Sequence, residues 1–355
     1  MNSKYRNEKR EKEYNTMKQK GGICLKKRII EIIIGILIVV LILIGYSKWK
    51  DNDDQKDNLV HVKLSEVTHS AFYAPLYVSI EKGYFKEAGI DLDLILTSGA
   101  DKVAAAVLSG DVQIGFAGPE SAIYVYNGGE ENYLITFAGL TKRDGQFMVS
   151  KNKKTFDWKD LIGKEVLVGR KGGMPALNFL NALKNAGINP NDVKLNYSVE
   201  FAALSGSFIA GVGDYVNLFE PNATLLEKEG YGNVVASIGE KSGSVPYTAF
   251  YAQKSYFEEN REVLEKFTKA LEKGITFVKE NSEEEIAKAI GAQFPDSSLN
   301  DLTKIVKRYK DADSWLPNAY ISEDIYKNLE NIMIDANLIQ GYVPFDKLVQ
   351  NISHE

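Results

Sequence analysis

Two passages of this chain repeat one another at long range, and a fold for it has to explain both. Ala88-Gly89-Ile90 closes a predicted helix and opens a strand, and Ala186-Gly187-Ile188 does so again 98 positions later. After each comes a helix of small residues, then Gly-Asp, then a strand ending in Phe. The first copy is Gly110-Asp111-Val112-Gln113-Ile114-Gly115-Phe116, and the second is Gly213-Asp214-Tyr215-Val216-Asn217-Leu218-Phe219, 103 positions on. A Pro-led helix start with a carboxylate follows both times, Gly118-Pro119-Glu120 and Glu220-Pro221-Asn222. Gly and Asp are common at turns, so one match means little. Two matches in one order at nearly one offset predict two similarly built lobes that need not be copies.

Apolar alternation marks strands at His61 to Val67, Asp91 to Leu96, Gln113 to Ala117, Leu134 to Leu140, Gln146 to Val149, Glu165 to Gly169, Val193 to Tyr197, Tyr215 to Phe219, Asn233 to Ser237 and Tyr247 to Gln253. Helices fill Ala74 to Lys82, Asp101 to Ser109, Pro175 to Ala186, Phe201 to Ala210 and Pro221 to Glu229, and from Ser255 onward the pattern is almost wholly helical. Such β-helix-β alternation predicts mainly parallel sheets with helices on both faces. The expected class is α/β in two lobes, with ligand chemistry in loops at the strand C-termini along a shared crevice.

With one Cys and three His, the chain has too little for a disulfide framework, a thiolate metal cluster or a His-driven acid–base site. No nucleophile–base–orienter set and no metal-ligand spacing emerges, so no catalytic residue, metal or cofactor is expected. Charge is unevenly spread: residues 1–50 hold 12 Lys+Arg and 4 Asp+Glu, whereas residues 51–355 hold 31 and 44. An acidic body repels phosphate backbones, which argues against nucleic acid as a partner.

The basic end leads into Ile29 to Tyr46, IIEIIIGILIVVLILIGY, charged only at Glu31. As a helix this run spans ~27 Å, enough for a bilayer core. Lys26, Lys27 and Arg28 before it, and Asp51, Asp53, Asp54 and Asp57 after it, orient the N-terminus to the cytoplasm and the body outside. A cleaved signal peptide is the rival reading. Against it, Gly45-Tyr46-Ser47-Lys48 is not a small-x-small cleavage site, and Cys24 precedes the apolar run where a lipoprotein's Cys follows it. The expected layout is a cytoplasmic basic tail at 1–28, a single transmembrane anchor at 29–46 in the cell membrane, a polar Asp-rich linker at 47–59, and an extracellular binding body.

The loops after the strands hold the candidate ligand residues: His69, Phe72, Tyr73, Ser98, Gly99, Gly118, Glu120, Arg143, Gly172, Gly173, Met174, Phe201, Glu220 and Asn222. Several stand at helix N-termini, where free backbone N–H groups favour anionic or acceptor-rich ligand groups. Gly172-Gly173-Met174-Pro175 reads either as backbone built for close approach to a ligand or as an ordinary strand-to-helix turn. Without Gly-Lys-Ser/Thr it is no P-loop. Phe72, Tyr73 and Phe201 either stack on a flat ligand or pack the core. Glu120 and Glu220 correspond in the repeat. They accept hydrogen bonds from an amine or amidine-like ring, cap helices, or form a glycosidase pair, which would require a set separation. Arg143 binds an anion or pairs with Asp144. His69 is a hydrogen-bond donor or plain loop residue, not a general base.

Phe72-Tyr73-Ala74-Pro75-Leu76-Tyr77-Val78-Ser79-Ile80-Glu81-Lys82-Gly83-Tyr84-Phe85, then Glu87-Ala88-Gly89-Ile90 and Ala105-Val107-Leu108-Ser109-Gly110-Asp111, resemble the opening of ABC-importer substrate-binding proteins of the SsuA/THI5-like (NMT1) family. The resemblance covers residues 60–340 and implies a type 2 periplasmic-binding-protein fold: two α/β lobes joined by two crossover strands, near Arg143 to Val149 and Tyr247 to Gln253. Lobe 1 would be residues 60–145 and 253–355, and lobe 2 residues 146–252. It further implies a monomeric receptor that captures a small organic solute between its lobes and delivers it to separate permease and ATPase subunits. Family members bind alkanesulfonates, taurine, nitrate or thiamine-pyrimidine precursors. Gly169-Arg170-Lys171-Gly172-Gly173-Met174-Pro175 is similar to the G-x-x-G-x-P loop of the pyrimidine-binding branch, and Met174-Pro175 departs from the Ser or Thr that sulfonate binders carry there. The family's fungal pyrimidine synthases use a Cys-rich iron motif that this chain, with Cys24 alone, lacks. A ligand-converting enzyme or a ligand sensor on the same scaffold is the alternative.

Overall fold

The computed structural model describes Arg10 and Leu59–Ser353. Apart from Arg10, the expected basic tail, the transmembrane helix at 29–46 and the linker up to residue 58 lie outside the described residues. Among the described residues no helix is long and apolar enough to cross a membrane.

The compact unit Val60–Glu355 holds ten strands: β1 Val60–Glu66, β2 Ile90–Leu96, β3 Ile114–Ala117, β4 Leu134–Thr141, β5 Phe147–Ser150, β6 Glu165–Leu167, β7 Lys194–Asn196, β8 Tyr215–Leu218, β9 Asn233–Ser237 and β10 Thr248–Gln253. They form two five-stranded sheets, ordered β2-β1-β3-β10-β4 and β7-β6-β8-β5-β9. The two orders are the same pattern, with β1, β2, β3 and β4 answering to β6, β7, β8 and β9. The internal repeat marks this correspondence. Gly89 and Gly187 both take positive φ just past a helix end, Gly110 and Gly213 both do so before β3 and β8, and each turn delivers its strand to the same place in its sheet.

The sheets depart from the mainly parallel expectation in one respect. β1–β2, β1–β3, β6–β7 and β6–β8 are parallel, but β10 runs antiparallel to both β3 and β4, and β5 antiparallel to both β8 and β9. The cause is topological: a chain entering a sheet from the other lobe arrives from the cleft side, against the direction of the strands that end there. Because β10 pairs with β3 and β4, Thr248–Gln253 lies in the first sheet, whereas of these residues only Gln253 was expected in lobe 1 and 248–252 were expected in lobe 2. The chain passes between sheets at residues 142–146 and 243–247. These crossovers run side by side, with the Val245 N–H donating to the Lys142 carbonyl at 2.9 Å and the Tyr247 N–H to that of Thr141 at 3.0 Å.

The helical C-terminal third closes the first lobe. Helix Arg261–Glu280 buries Leu264, Phe267, Leu271, Ile275 and Val278, spaced three or four apart as an amphipathic face requires, against helices Ala74–Glu81 and Tyr84–Glu87. β4 stands at the edge of its sheet yet is buried along its whole length. The C-terminal segment covers it: the Gly139 N–H donates to Ala319, Leu316 to Leu140 and Gln350 to Thr136, which satisfies backbone groups that an open edge would expose.

Candidate functional site

The parallel strands of both sheets end toward one cleft of about 370 Å³ between the lobes. From the first lobe come Val67 and Thr68 after β1, Ser98 to Lys102 after β2, Gly118 and Glu120 after β3, and Tyr73. From the second come Arg170 and Gly173 to Pro175 after β6, Glu200 to Ala202 after β7, and Phe219 after β8, while Tyr247 and Thr248 enter from the crossover. Strand C-termini with helix starts behind them build a crevice of this kind in open α/β sheets.

Eight sequence candidates meet there: Tyr73, Ser98, Gly99, Gly118, Glu120, Gly173, Met174 and Phe201. Six do not line it. Phe72 is fully buried one layer behind, with ring centroids 5.5 Å from Tyr73, 5.6 Å from Phe219 and 5.8 Å from Tyr247. It is a core residue whose packing holds three cleft aromatics. His69 turns away from the cleft. Its Nδ1 lies 2.7 Å from the Glu66 carboxylate and its Nε2 3.0 Å from the Gln293 carbonyl, two acceptors that suit a doubly protonated ring, and the Glu66 hydrogen bond raises its pKa. Arg143 pairs with Asp313 at 3.3 Å, and the neighbouring Asp144 accepts from the Gln146 N–H instead. The Gly172 carbonyl accepts from the Tyr124 hydroxyl, and Asn222 is exposed at the start of its helix.

Glu220 is the sixth. Its carboxylate accepts from the Thr224 N–H at 2.8 Å, the Thr224 hydroxyl at 2.9 Å and Arg308 at 2.7 Å, so it caps a helix and neutralises an arginine. Glu120, its counterpart in the repeat, has no arginine bonded to it and only backbone N–H groups beside it. Glu120 is 1% exposed, and its Oε2 accepts no hydrogen bond. Burial pushes its pKa up to about 7, with nearby backbone N–H groups, including that of Met174, and the Arg170 charge pulling only partly the other way. A Cβ at Gly118 would overlap both this carboxyl and the Met174 side chain, so glycine here is what lets the second lobe's helix start come up against Glu120.

Around that acid the cleft wall is aromatic, with Tyr73, Phe201, Phe219 and Tyr247, and Phe201 sits 5.8 Å from Phe219. Charged residues also line the cleft, at Asp101, Lys102, Arg170 and Glu200, and of these Arg170 acts on Glu120. Ring faces and one buried carboxyl acceptor are what this wall offers a solute. Sequence reasoning missed Tyr247, because it sits on a crossover rather than after a parallel strand. Phe219 carried a usable signal, being the last residue of the repeated strand.

A family model described as NMT1/THI5 like matches residues 71–285. The binding protein YtlA of Bacillus subtilis (strain 168) is 41% identical over 297 residues, 83% of this chain and 89% of that one. The formylaminopyrimidine-binding protein of Halalkalibacterium halodurans is 24% identical over 335 residues, covering 84% of this chain and 98% of its own. Among solved structures, the alkanesulfonate-binding protein SsuA from Xanthomonas axonopodis pv. citri bound to MOPS aligns with a TM-score of 0.67 at 15% identity, over 82% of this chain and 98% of that one. That likeness is one of fold.

Proposed function

The chain belongs to the NMT1/THI5-like family, and from that premise we propose that it is a solute-binding protein of the ABC-importer type whose ligand is a flat nitrogen heterocycle with an exocyclic amine, of the aminopyrimidine kind. The observation that carries the ligand class is Glu120, a buried carboxyl in the lining of an aromatic cleft, one of whose oxygens accepts no hydrogen bond. A sulfonate or nitrate seated on Glu120 would meet a like charge wherever that carboxyl is ionised, above about pH 7, and Arg170 offsets only part of that repulsion. A ring amine instead supplies the donor that Oε2 lacks. The formylaminopyrimidine-binding relative supports the same class.

Both relatives named above bear the names of binding proteins, which supports capture without conversion. The ligand would therefore pass unchanged to a permease and its ATPase, and the receptor would act as a monomer. The apolar run at 29–46 with its basic flank supports a membrane anchor that holds the body outside the cell.

Calorimetry on the full chain in detergent, with 4-amino-5-hydroxymethyl-2-methylpyrimidine, its formylamino analogue, alkanesulfonates, taurine and nitrate, tests the reading. Binding heat is expected from the pyrimidines, and mass spectrometry should recover them intact. Heat from sulfonates alone would replace the ligand class. Phe201→Ala removes one stacking face and should weaken the pyrimidine about fivefold to tenfold, the usual worth of an aromatic pair, with little change in melting temperature because Phe201 is half-buried. Unchanged affinity in that variant would take Phe201 out of the site.

A further inference from the structure

We propose that Tyr124 is the latch of the cleft: a positioning residue whose hydroxyl, by bonding the Gly172 carbonyl, holds the Arg170–Met174 loop of one lobe against the other and sets how long a captured solute stays. The proposal rests on reading the cleft as the solute site. Tyr124 does not line the cleft. It lies one helical turn after Glu120 on helix Glu120–Asn127, so both side chains project from the same face. Its hydroxyl donates across the lobe boundary to the Gly172 carbonyl at 2.9 Å.

Gly172 stands at φ +81°, which aims that carbonyl, and the atoms nearest a Cβ there would be the Tyr124 hydroxyl at 3.7 Å and Leu338 at 3.9 Å, both on the first lobe. Two residues on, Met174 packs at Gly118 and Glu120. The loop thus touches the first lobe at Tyr124, at Leu338 and at the proposed ligand acid, and a solute seated on Glu120 leaves only when the loop lifts. Two further contacts reach this loop: the Met174 N–H at the Glu120 carboxylate, and Arg170 with Asp101, which are 3.8 Å apart and both half-exposed, the kind of ion pair that contributes little in water. Of the other bonds between the lobes, Arg308 to Glu220 and Lys228 to Asp301 lie away from this loop, and Lys184 to Asp335 holds the far end of helix Met174–Asn185 to the first lobe through exposed side chains. Burial, followed by the charge of Glu120, pushes the Tyr124 pKa up to about 12, so the hydroxyl keeps its proton at any physiological pH.

The test compares Tyr124→Phe with the parent in the full chain, with Cys24→Ser removing the native thiol and spin labels on Glu131→Cys and Lys194→Cys, one exposed position on each lobe. Pulsed dipolar distances without solute should show the closed-to-open ratio falling about fivefold, the share expected of one hydrogen bond. Stopped-flow release of 4-amino-5-hydroxymethyl-2-methylpyrimidine should quicken about fivefold with the association rate unchanged. Parental distances and release would overturn the latch. So would a variant that merely melts earlier with both unchanged, since Tyr124 would then be a packing residue. If the pyrimidine binds neither protein, the ligand class fails while the distances still judge the latch.

Discussion

Glu120→Gln should lose about 10-fold to 100-fold in affinity for an aminopyrimidine and, in the same step, make the unliganded protein more stable at pH 8. The affinity loss is the worth of a hydrogen bond to a charged acceptor in a dry site. The stability gain follows from linkage. Burial lifts the folded-state pKa of Glu120 from an ordinary 4.5 to about 7, so the native state holds this proton more tightly than the unfolded chain does. Stability from that proton is complete below pH 4.5, drains away as pH climbs toward 7, and is gone above it, at a cost of about 3 kcal/mol. Glutamine has no proton to lose. Urea unfolding of the two proteins should give curves that nearly coincide at pH 4.5 and separate by about 2–3 kcal/mol at pH 8. His69, whose pKa is also raised, loses stability with rising pH too, but it does so in both proteins and cancels in the difference. A residue kept for structure would behave oppositely, with Gln destabilising at every pH and binding untouched.

The contrast between Glu120 and Glu220 shows where the sequence stops being readable. Strand ends, the two lobes and the loops that face the cleft follow from local signals. Apolar alternation places β1 to β10 to within a few residues, the Gly-Asp turns place β3 and β8, and Ser98, Gly99, Gly118, Glu120, Gly173, Met174 and Phe201 all follow parallel strands. What local signals lack is the partner from elsewhere. Glu220 is removed from the cleft by Arg308, 88 positions on, and Arg143 by Asp313 on the far side of the second lobe's sequence. Phe72 and Tyr73 are aromatic neighbours in a single 3-10 turn. Only the stack of Phe219, Tyr247 and Tyr309 around Phe72, with centroids at 5.6, 5.8 and 5.2 Å, decides which ring is core and which is wall. The direction of β5 and β10 is likewise a property of chain routing that alternation cannot carry.

Arg308→Ala should destabilise the protein by about 2–4 kcal/mol, more than any surface change of equal size. Arg308 sits on helix Leu299–Asp311 and reaches between Glu220 at 2.7 Å and Glu227 at 2.5 Å, with a third bond to the Thr224 hydroxyl at 2.8 Å. The Glu220 side chain is wholly buried, so the variant leaves a carboxylate with only the Thr224 N–H and hydroxyl to hold its charge. The lysine bridge beside it, Lys228 to Asp301 at 2.7 Å, joins the same two helices but through an exposed side chain and compensates little. Affinity should fall as well. Phe219 lines the cleft immediately before Glu220, whose carbonyl accepts from the Ser70 hydroxyl at 2.6 Å and whose N–H donates to the Tyr309 hydroxyl at 3.0 Å, so this strap holds a cleft wall in place. A double-mutant cycle separates the pair from its surroundings. Glu220→Gln in the Arg308→Ala background removes the stranded charge and should recover more than half of the loss. A recovery near zero, or Arg308→Ala unfolding at the parent's urea midpoint, would mean that water reaches Glu220 and that the two lobes do not depend on this bridge.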